Sequence, residues 1–267
     1  MPEHLKQTTD HARPRRRRGI YLLPNLFTTA ALFAGFYGIV AAMHGSFETA
    51  AIAIFVAMIL DGLDGRVARL THTESEFGVQ YDSLSDMVSF GLAPALIMYQ
   101  WALVGMRELG PAPGKLGWAA AFVYAACAAL RLARVNVQTG ASDKRYFIGL
   151  PSPSAAAIMR GLVWVGDDLG FKGNQLSWVA LLLTVGTGLL MVSNLLYVSF
   201  KDFDFRNRIP FLAATAIVLA FVLTAIDPPK VLFVAFLGYG CSGLVQGLVR
   251  RRRRRTQRPS DGKADLQ

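Results

Sequence analysis

Four aspartates stand at helical intervals in LDGLDGRVARLTHTESEFGVQYDSLSD, residues 60–86: Asp61 and Asp64 before a short polar loop, Asp82 and Asp86 after it. On a helix, Asp61, Asp64, Gly65, Ala68 and Arg69 fall at i, i+3, i+4, i+7 and i+8 and share one face. Gly78, Asp82 and Asp86 recur every four residues on the next helix. An antiparallel hairpin therefore converges four carboxylates on one pocket. Unaccompanied, they repel one another and several must take up protons. Two divalent cations remove that penalty. Oxygen ligands without Cys or His select hard ions, so the expectation is a two-ion site for Mg²⁺ or Mn²⁺. Such a site clamps phosphate oxygens during in-line displacement. Gly65 and Ala68 leave room for a nucleotide on the same face, and Arg66 and Arg69 supply cationic donors. Small residues in a membrane helix more often serve packing, and only their place beside the aspartates gives them a functional reading.

The elements that must position this cluster are membrane helices. The 267-residue chain is 53% hydrophobic and only 17% charged, too apolar for an ordinary soluble domain of this length. A hydrocarbon core of about 30 Å takes roughly 20 helical residues. Candidate spans lie at 20–43, 47–70, 82–105, 116–138, 152–169, 175–199, 210–226 and 231–249. The fifth is the weakest, being short and carrying Arg160. The expected fold class is therefore all-α: a polytopic helical bundle of about eight transmembrane helices, with six or seven as the alternatives. The first span follows Arg18 in the manner of a signal peptide, but it lacks a small-residue cleavage site and reads as retained.

The net charge of +10 owes much to two runs, RPRRRR at 13–18 and RRRRRR at 250–255. Neither contains an aromatic and each abuts an apolar segment, which points to a membrane surface and away from nucleic acid. With both termini cytoplasmic, outer loops hold only Arg107, Lys115, Lys172 and Lys230, while the other 24 Lys and Arg fall at or near the inner face. That asymmetry follows the positive-inside rule and sets the acidic loop on the cytoplasmic side of a prokaryotic inner (cell) membrane. One helical domain, 20–249, is expected between a basic cytoplasmic tail at 1–19 and another at 250–267. Cys127 and Cys241 lie in apolar stretches and read as small hydrophobes. His44 falls at the outer face, and His72, without a partner ligand, reads as a solvated loop residue.

The same residues resemble the signature of the CDP-alcohol phosphotransferases, DxxDGxxAR, a spacer, then GxxxDxxxD. All eight specified positions are present: Asp61, Asp64, Gly65, Ala68, Arg69, Gly78, Asp82 and Asp86. The resemblance implies transfer of a phosphatidyl group from a CDP-linked lipid to an alcohol, with release of CMP, by a homodimer. It implies Asp61, Asp64 and Asp82 as metal ligands, and Asp86 as the general base that also reaches the second metal. Gly65, Ala68 and Arg69, with Asp61 and Gly78, match positions that line the cytidine site. Asn25 and Thr28 at the start of span one either cap that helix or reach the nucleotide.

Three further stretches bear on the acceptor: PNLFTTAAL at 24–32, YDSLSDMVSFGLAPAL at 81–96, and the pair ALRLARVNV at 129–137 and FIGLPSPSAAA at 147–157. Together they resemble the phosphatidylserine synthase branch, which joins L-serine to CDP-diacylglycerol. Serine is a zwitterion, so its pocket should offer a cation to the carboxylate and an oxygen to the ammonium. Arg131, Arg134, Asn136, Lys144 and Arg145 are the acceptor- or phosphate-site candidates, set against the plainer reading that such cations anchor helix ends at the headgroups. Two alternatives remain at this level. One is the same chemistry with glycerol phosphate, an inositol phosphate or choline as acceptor. The other is a cation transporter using the intramembrane carboxylates, against which stand the lack of an internal repeat and the position of the cluster beside a loop.

Overall fold

The computed structural model describes residues 22–71, 73, 75–137, 146–198 and 211–256. In a bilayer a backbone must satisfy its own polar groups, and an apolar run does so as a helix. α1 (Leu22–Met43) and α2 (Phe47–Thr71) form an antiparallel hairpin. The third rod is composite: α3 (Glu76–Asp86), a π-helical turn (Met87–Leu92), α4 (Ala93–Trp101) and a closing 3-10 segment (Leu103–Leu109). α5 (Pro111–Val137), α6 (Ser152–Asp168), α7 (Ser177–Val192), α8 (Phe211–Ile226) and α9 (Pro228–Thr256) complete the bundle.

The all-helical architecture and its eight rods agree with the sequence reading. Among the described residues, five segments are long and apolar enough to cross a membrane by themselves: Leu23–Met43, Glu76–Leu109, Pro111–Val137, Gly173–Val192 and Pro228–Gly247. α2 carries Glu48, Asp61, Asp64, Arg66 and Arg69 within its 25 residues, so its chemistry is what dilutes its apolar character. α6 and α8 are short, at 17 and 16 residues. The chain is an integral membrane protein.

Several boundaries differ from the expected ones: α5 begins at Pro111, not 116, and α7 ends at Val192, the remainder of the expected 175–199 span leaving the helix and including a short strand at 196–198. The third rod begins at Glu76, not 82, because Ser75 adopts an extended N-cap conformation and its Oγ accepts the Gly78 N–H at 3.0 Å, satisfying a donor that a helix start leaves open. At the other end of the chain α9 continues past 249 to Thr256, so the arginine run prolongs the last helix. The described residues also include a two-stranded antiparallel ribbon, β1 (Tyr146–Ile148) with β2 (Leu196–Val198), in which Phe147 opposes Tyr197. Gly149 turns the chain out of this ribbon at φ 81, and a Cβ there would collide with the Met191 carbonyl. Its N–H donates to Leu195 O at 2.8 Å. The turn delivers the chain to Pro151, whose fixed φ suits the start of α6.

The bundle is apolar outside as well as inside, with a few polar groups buried among the helices. Large apolar side chains such as Phe33, Phe36, Trp118, Phe122 and Leu182 are exposed on the rod surfaces, while Thr28, Asp64, Arg131, Ser152 and Arg160 are buried. Alanines dominate the contact among α1, α2, α4 and α6, where Ala34, Ala50, Ala57, Ala93 and Ala156 surround Ile54 and Phe90. Side chains this small bring backbones close, the main source of helix association where lipid is as apolar as leucine. The approach is close at Gly35, where a Cβ would stand 2.6 Å from Ser89 Oγ. A second core, built around Tyr124, Met98, Trp101, Met159 and Tyr197, joins the third rod to α5, α6 and α7.

Candidate active site

The acidic residues converge where the C-terminal part of α2 meets α3. Asp61, Asp64 and Asp82 each present a carboxylate oxygen within 4.8 Å of the others. Asp86 stands next to this trio, its carboxyl beside Asp61 and facing Asp82 and Arg131. A hard cation at about 2.1 Å from each ligand spans oxygens up to roughly 4.2 Å apart. Small side-chain rotations therefore suffice for the trio to hold one, and the all-oxygen donor set fits Mg²⁺ or Mn²⁺.

α1 lies along the cluster and orients it. Thr28, 4% exposed, places its hydroxyl 2.7 Å from Asp64 Oδ2 and 3.1 Å from Pro24 O. A hydroxyl has one proton, and the shorter, charge-assisted contact to the carboxylate takes it. Ser85 Oγ donates to Thr28 O at 3.1 Å, and Ser89 Oγ to Ala31 O at 3.1 Å, lacing α1 to the acidic rod. Thr28 thus faces the Asp64 carboxylate from inside α1, not from a helix cap. Asn25 lies inside the first turn of α1, not at a cap, with Oδ1 close to Gly78. Thr29 adds a contact of 2.9 Å to the hydroxyl of Tyr81.

Open space lies beside Gly65, where a Cβ would touch nothing. Arg69 folds back along α2, its Nε donating to Gly65 O at 2.9 Å, and both Arg66 and Arg69 remain exposed.

On the far side of the cluster Arg131 of α5 is 8% exposed, and its Nη1 donates to Ser152 Oγ at 2.7 Å. Its charge faces Asp86 and Asp61, and its Nε has no hydrogen-bond partner. The other acceptor candidates are more dispersed. Arg134 is half-buried, with Nη1 3.5 Å from Asn194 Oδ1. Asn136 Nδ2 donates to Ser83 Oγ at 3.0 Å, tying the end of α5 to the residue after Asp82. Lys144 and Arg145 lie outside the described residues, as does His72. His44 bonds Val40 O at 2.8 Å at the α1–α2 turn, remote from the acids. Thr28, Ser152 and Ser83 are the partners that sequence reasoning did not assign. Their signal was a hydroxyl in an apolar helix, which needs an acceptor within reach.

Comparison with known proteins follows the same residues. The family model for CDP-alcohol phosphatidyltransferases matches residues 21–190. The CDP-diacylglycerol–serine O-phosphatidyltransferase of Helicobacter pylori is 38% identical over 221 residues, covering 83% of this chain and 90% of the relative. The enzyme of the same name from Mycobacterium tuberculosis is 35% identical over 239 residues, covering 86% and 80%. The archaetidylserine synthase of Methanothermobacter thermautotrophicus is 34% identical over 177 residues, covering 66% and 69%.

Proposed function

The chain belongs to the CDP-alcohol phosphatidyltransferase family, and from that premise we propose that it transfers the phosphatidyl group of CDP-diacylglycerol to the hydroxyl of L-serine, giving phosphatidylserine and CMP. The observation that carries this reading is the convergence of Asp61, Asp64 and Asp82 within 4.8 Å, with Asp86 beside Asp61 at their edge. The acceptor rests on the relatives: bacterial and archaeal proteins that differ in the lipid they name share serine in their names.

Asp61, Asp64 and Asp82 would hold Mg²⁺ or Mn²⁺, with Asp86 reaching a second ion, and bound metal supplies positive charge to the pyrophosphate oxygens. Asp86 takes the proton of the serine hydroxyl. The freed oxygen attacks the phosphorus that bears diacylglycerol, forming the new O–P bond. The bond from that phosphorus to the bridging oxygen breaks, and CMP leaves with the oxygen and its electron pair. Thr28 keeps Asp64 turned toward the cluster throughout. Arg131, fixed by Ser152, offers its remaining N–H groups to the serine carboxylate or to a donor phosphate. Arg134, Asn136, Lys144 and Arg145 complete the acceptor or phosphate set. Asn25, Gly65, Ala68, Arg69 and Gly78 line the cytidine side, where the open face of α2 admits a nucleotide while the acyl chains stay in lipid.

The distribution of Lys and Arg supports a cytoplasmic site with both termini on that side. The assembly is a homodimer, a reading that size analysis in lipid nanodiscs showing one chain per particle would remove. The deciding experiment incubates purified protein with CDP-diacylglycerol and one alcohol at a time, following CMP. Serine should release CMP well above the level without acceptor. Release with glycerol phosphate, an inositol phosphate or choline, and none with serine, would overturn the assignment.

A further inference from the structure

Pro94 lies one helical turn beyond Phe90, in the rod that carries Asp82 and Asp86. Proline has no N–H, and its ring presses on the carbonyl four residues back, so Phe90 O loses its regular helical donor. The rod widens at this point. Met87–Leu92 is π-helical, and the Ala93 N–H donates to Val88 O, five residues back. Side chains from two other helices complete the repair. Tyr124 of α5 donates its hydroxyl to Phe90 O at 3.0 Å, and Arg160 of α6 donates Nη2 to Pro94 O at 3.1 Å. Both side chains are 0% exposed.

Arg160 is costly in this place. Its Nε and Nη1 have no partner, and the charged or titratable group that acts on it is Tyr124. A guanidinium buried among apolar helices without a counter-ion is strongly disfavoured, which makes its single bond to the proline carbonyl informative.

The turn matters because it starts at the residue after Asp86. An i→i+5 turn holds one more residue than an α-turn, and each residue rotates a helix by about 100°. With the turn in place, Asp82 and Asp86 face Asp61 while Ala93 and Ile97 still pack against α1 and α2. Losing it turns one of those faces away.

We propose that Tyr124 and Arg160 are positioning residues: by holding the carbonyls of Phe90 and Pro94 they fix the π-turn, and with it the register of Asp82 and Asp86 against Asp61 and Asp64. Neither touches the reacting atoms. The inference rests on the acidic cluster being the active site, but not on serine being the acceptor.

The test uses the full chain in nanodiscs. In Tyr124→Phe, amide hydrogen exchange over residues 87–93 should quicken, and Mn²⁺ binding, read by electron paramagnetic resonance, should weaken. The expected change is about fivefold in each, the factor that one net hydrogen bond corresponds to. The turnover number should fall while the KM for CDP-diacylglycerol stays within about twofold. Tyr197→Phe is the control, since it removes an equally buried hydroxyl that donates to Gly240 O at 3.1 Å on α9. It should lower the melting temperature and leave Mn²⁺ binding unchanged. Pro94→Ala restores a donor for Phe90 O, so Tyr124→Phe should cost much less on that background. Arg160→Lys should bind Mn²⁺ better than Arg160→Met, and this pair carries the comparison if Tyr124→Phe fails to reach the membrane. Equal Mn²⁺ affinity in Tyr124→Phe and Tyr197→Phe, or an undiminished penalty beside Pro94→Ala, would overturn the proposal. A wild-type protein that binds Mn²⁺ and follows this pattern, yet releases no CMP with serine, would sink the acceptor reading and leave the positioning role standing.

Discussion

Replacing Thr28 by valine keeps the shape of the side chain and deletes one hydroxyl, so it isolates the bond to Asp64. The donor is 4% and the acceptor 5% exposed, and the distance is 2.7 Å, leaving little room for water to take over. A hydrogen bond to a charged group contributes about 1.5–3 kcal/mol. Independently, removing a residue that orients a metal ligand costs about 10–100-fold in affinity, or about 1.4–2.8 kcal/mol at roughly 1.4 kcal/mol per decade. The two routes agree. An opposing effect exists, because donation to Asp64 draws charge from the ligand and its loss makes the carboxylate a better donor. Orientation wins, since a buried carboxylate freed from Thr28 rotates away from a position shared with two other acids. Thr28→Val should therefore raise the Mg²⁺ concentration for half-maximal CMP release by about 10–100-fold, while Thr28→Ser, which keeps the donor, stays close to wild type. Calorimetric titration of Mg²⁺ into the purified variants supplies the same comparison without turnover. A Thr28→Val midpoint within a factor of two of wild type would refute the claim that this hydroxyl sets the ligand.

Three further outcomes are expected. EDTA should abolish CMP release and added Mg²⁺ or Mn²⁺ should restore it; full activity in metal-free buffer would end the metal-dependent mechanism. Asp82→Asn should lose both Mn²⁺ binding and activity, whereas Asp86→Asn should lose turnover by about 10²–10⁴-fold, the usual contribution of a general base, and keep the ion held by Asp61, Asp64 and Asp82 while weakening the second, so equal loss of the first ion in both would remove the distinction between them. Gly35→Val should push α1 off the π-turn, because a Cβ there stands 2.6 Å from Ser89 Oγ and 2.8 Å from its Cα. The cost is about 1–3 kcal/mol for overpacking, read as a lower melting temperature in detergent, and an unchanged melt would show that α1 has slack at this point.

The rods and the acids were legible because hydropathy and spacing along the chain determine them. Asp61 and Asp64 share a helix face by periodicity alone, and α3 repeats the pattern with Asp82 and Asp86. The apolar span of the third rod was set to begin at 82 because EFGVQYDSLSD is polar on one side, although the aspartate spacing already placed Gly78 on that helix. Ser75 was the sign of that start, but a serine caps only if the backbone before the helix is extended. Thr28 bonds Asp64 across 36 residues of sequence and Arg131 bonds Ser152 across 21, pairings that depend on how helices pack. The ribbon joins three-residue strands, too short to leave an alternating pattern. Pro94 was visible, yet whether a proline breaks, kinks or widens a helix depends on which donors its neighbours bring.

The serine ladder from the third rod to α1 also bears on how the protein enters a membrane. α3 carries Glu76, Asp82 and Asp86 in 11 residues; Ser85 of α3 and Ser89 of the π-turn that follows find their acceptors on the carbonyls of Thr28 and Ala31. Those acceptors belong to a helix that emerges earlier from the ribosome. α3 thus has no favourable place in lipid until α1 is already there to receive it, and the apolar α4 behind it draws the rod across. The contacts that seat α3 against α1 are thus the ones that assemble the acidic cluster, so variants that loosen them should reduce the amount of protein inserted as well as its activity.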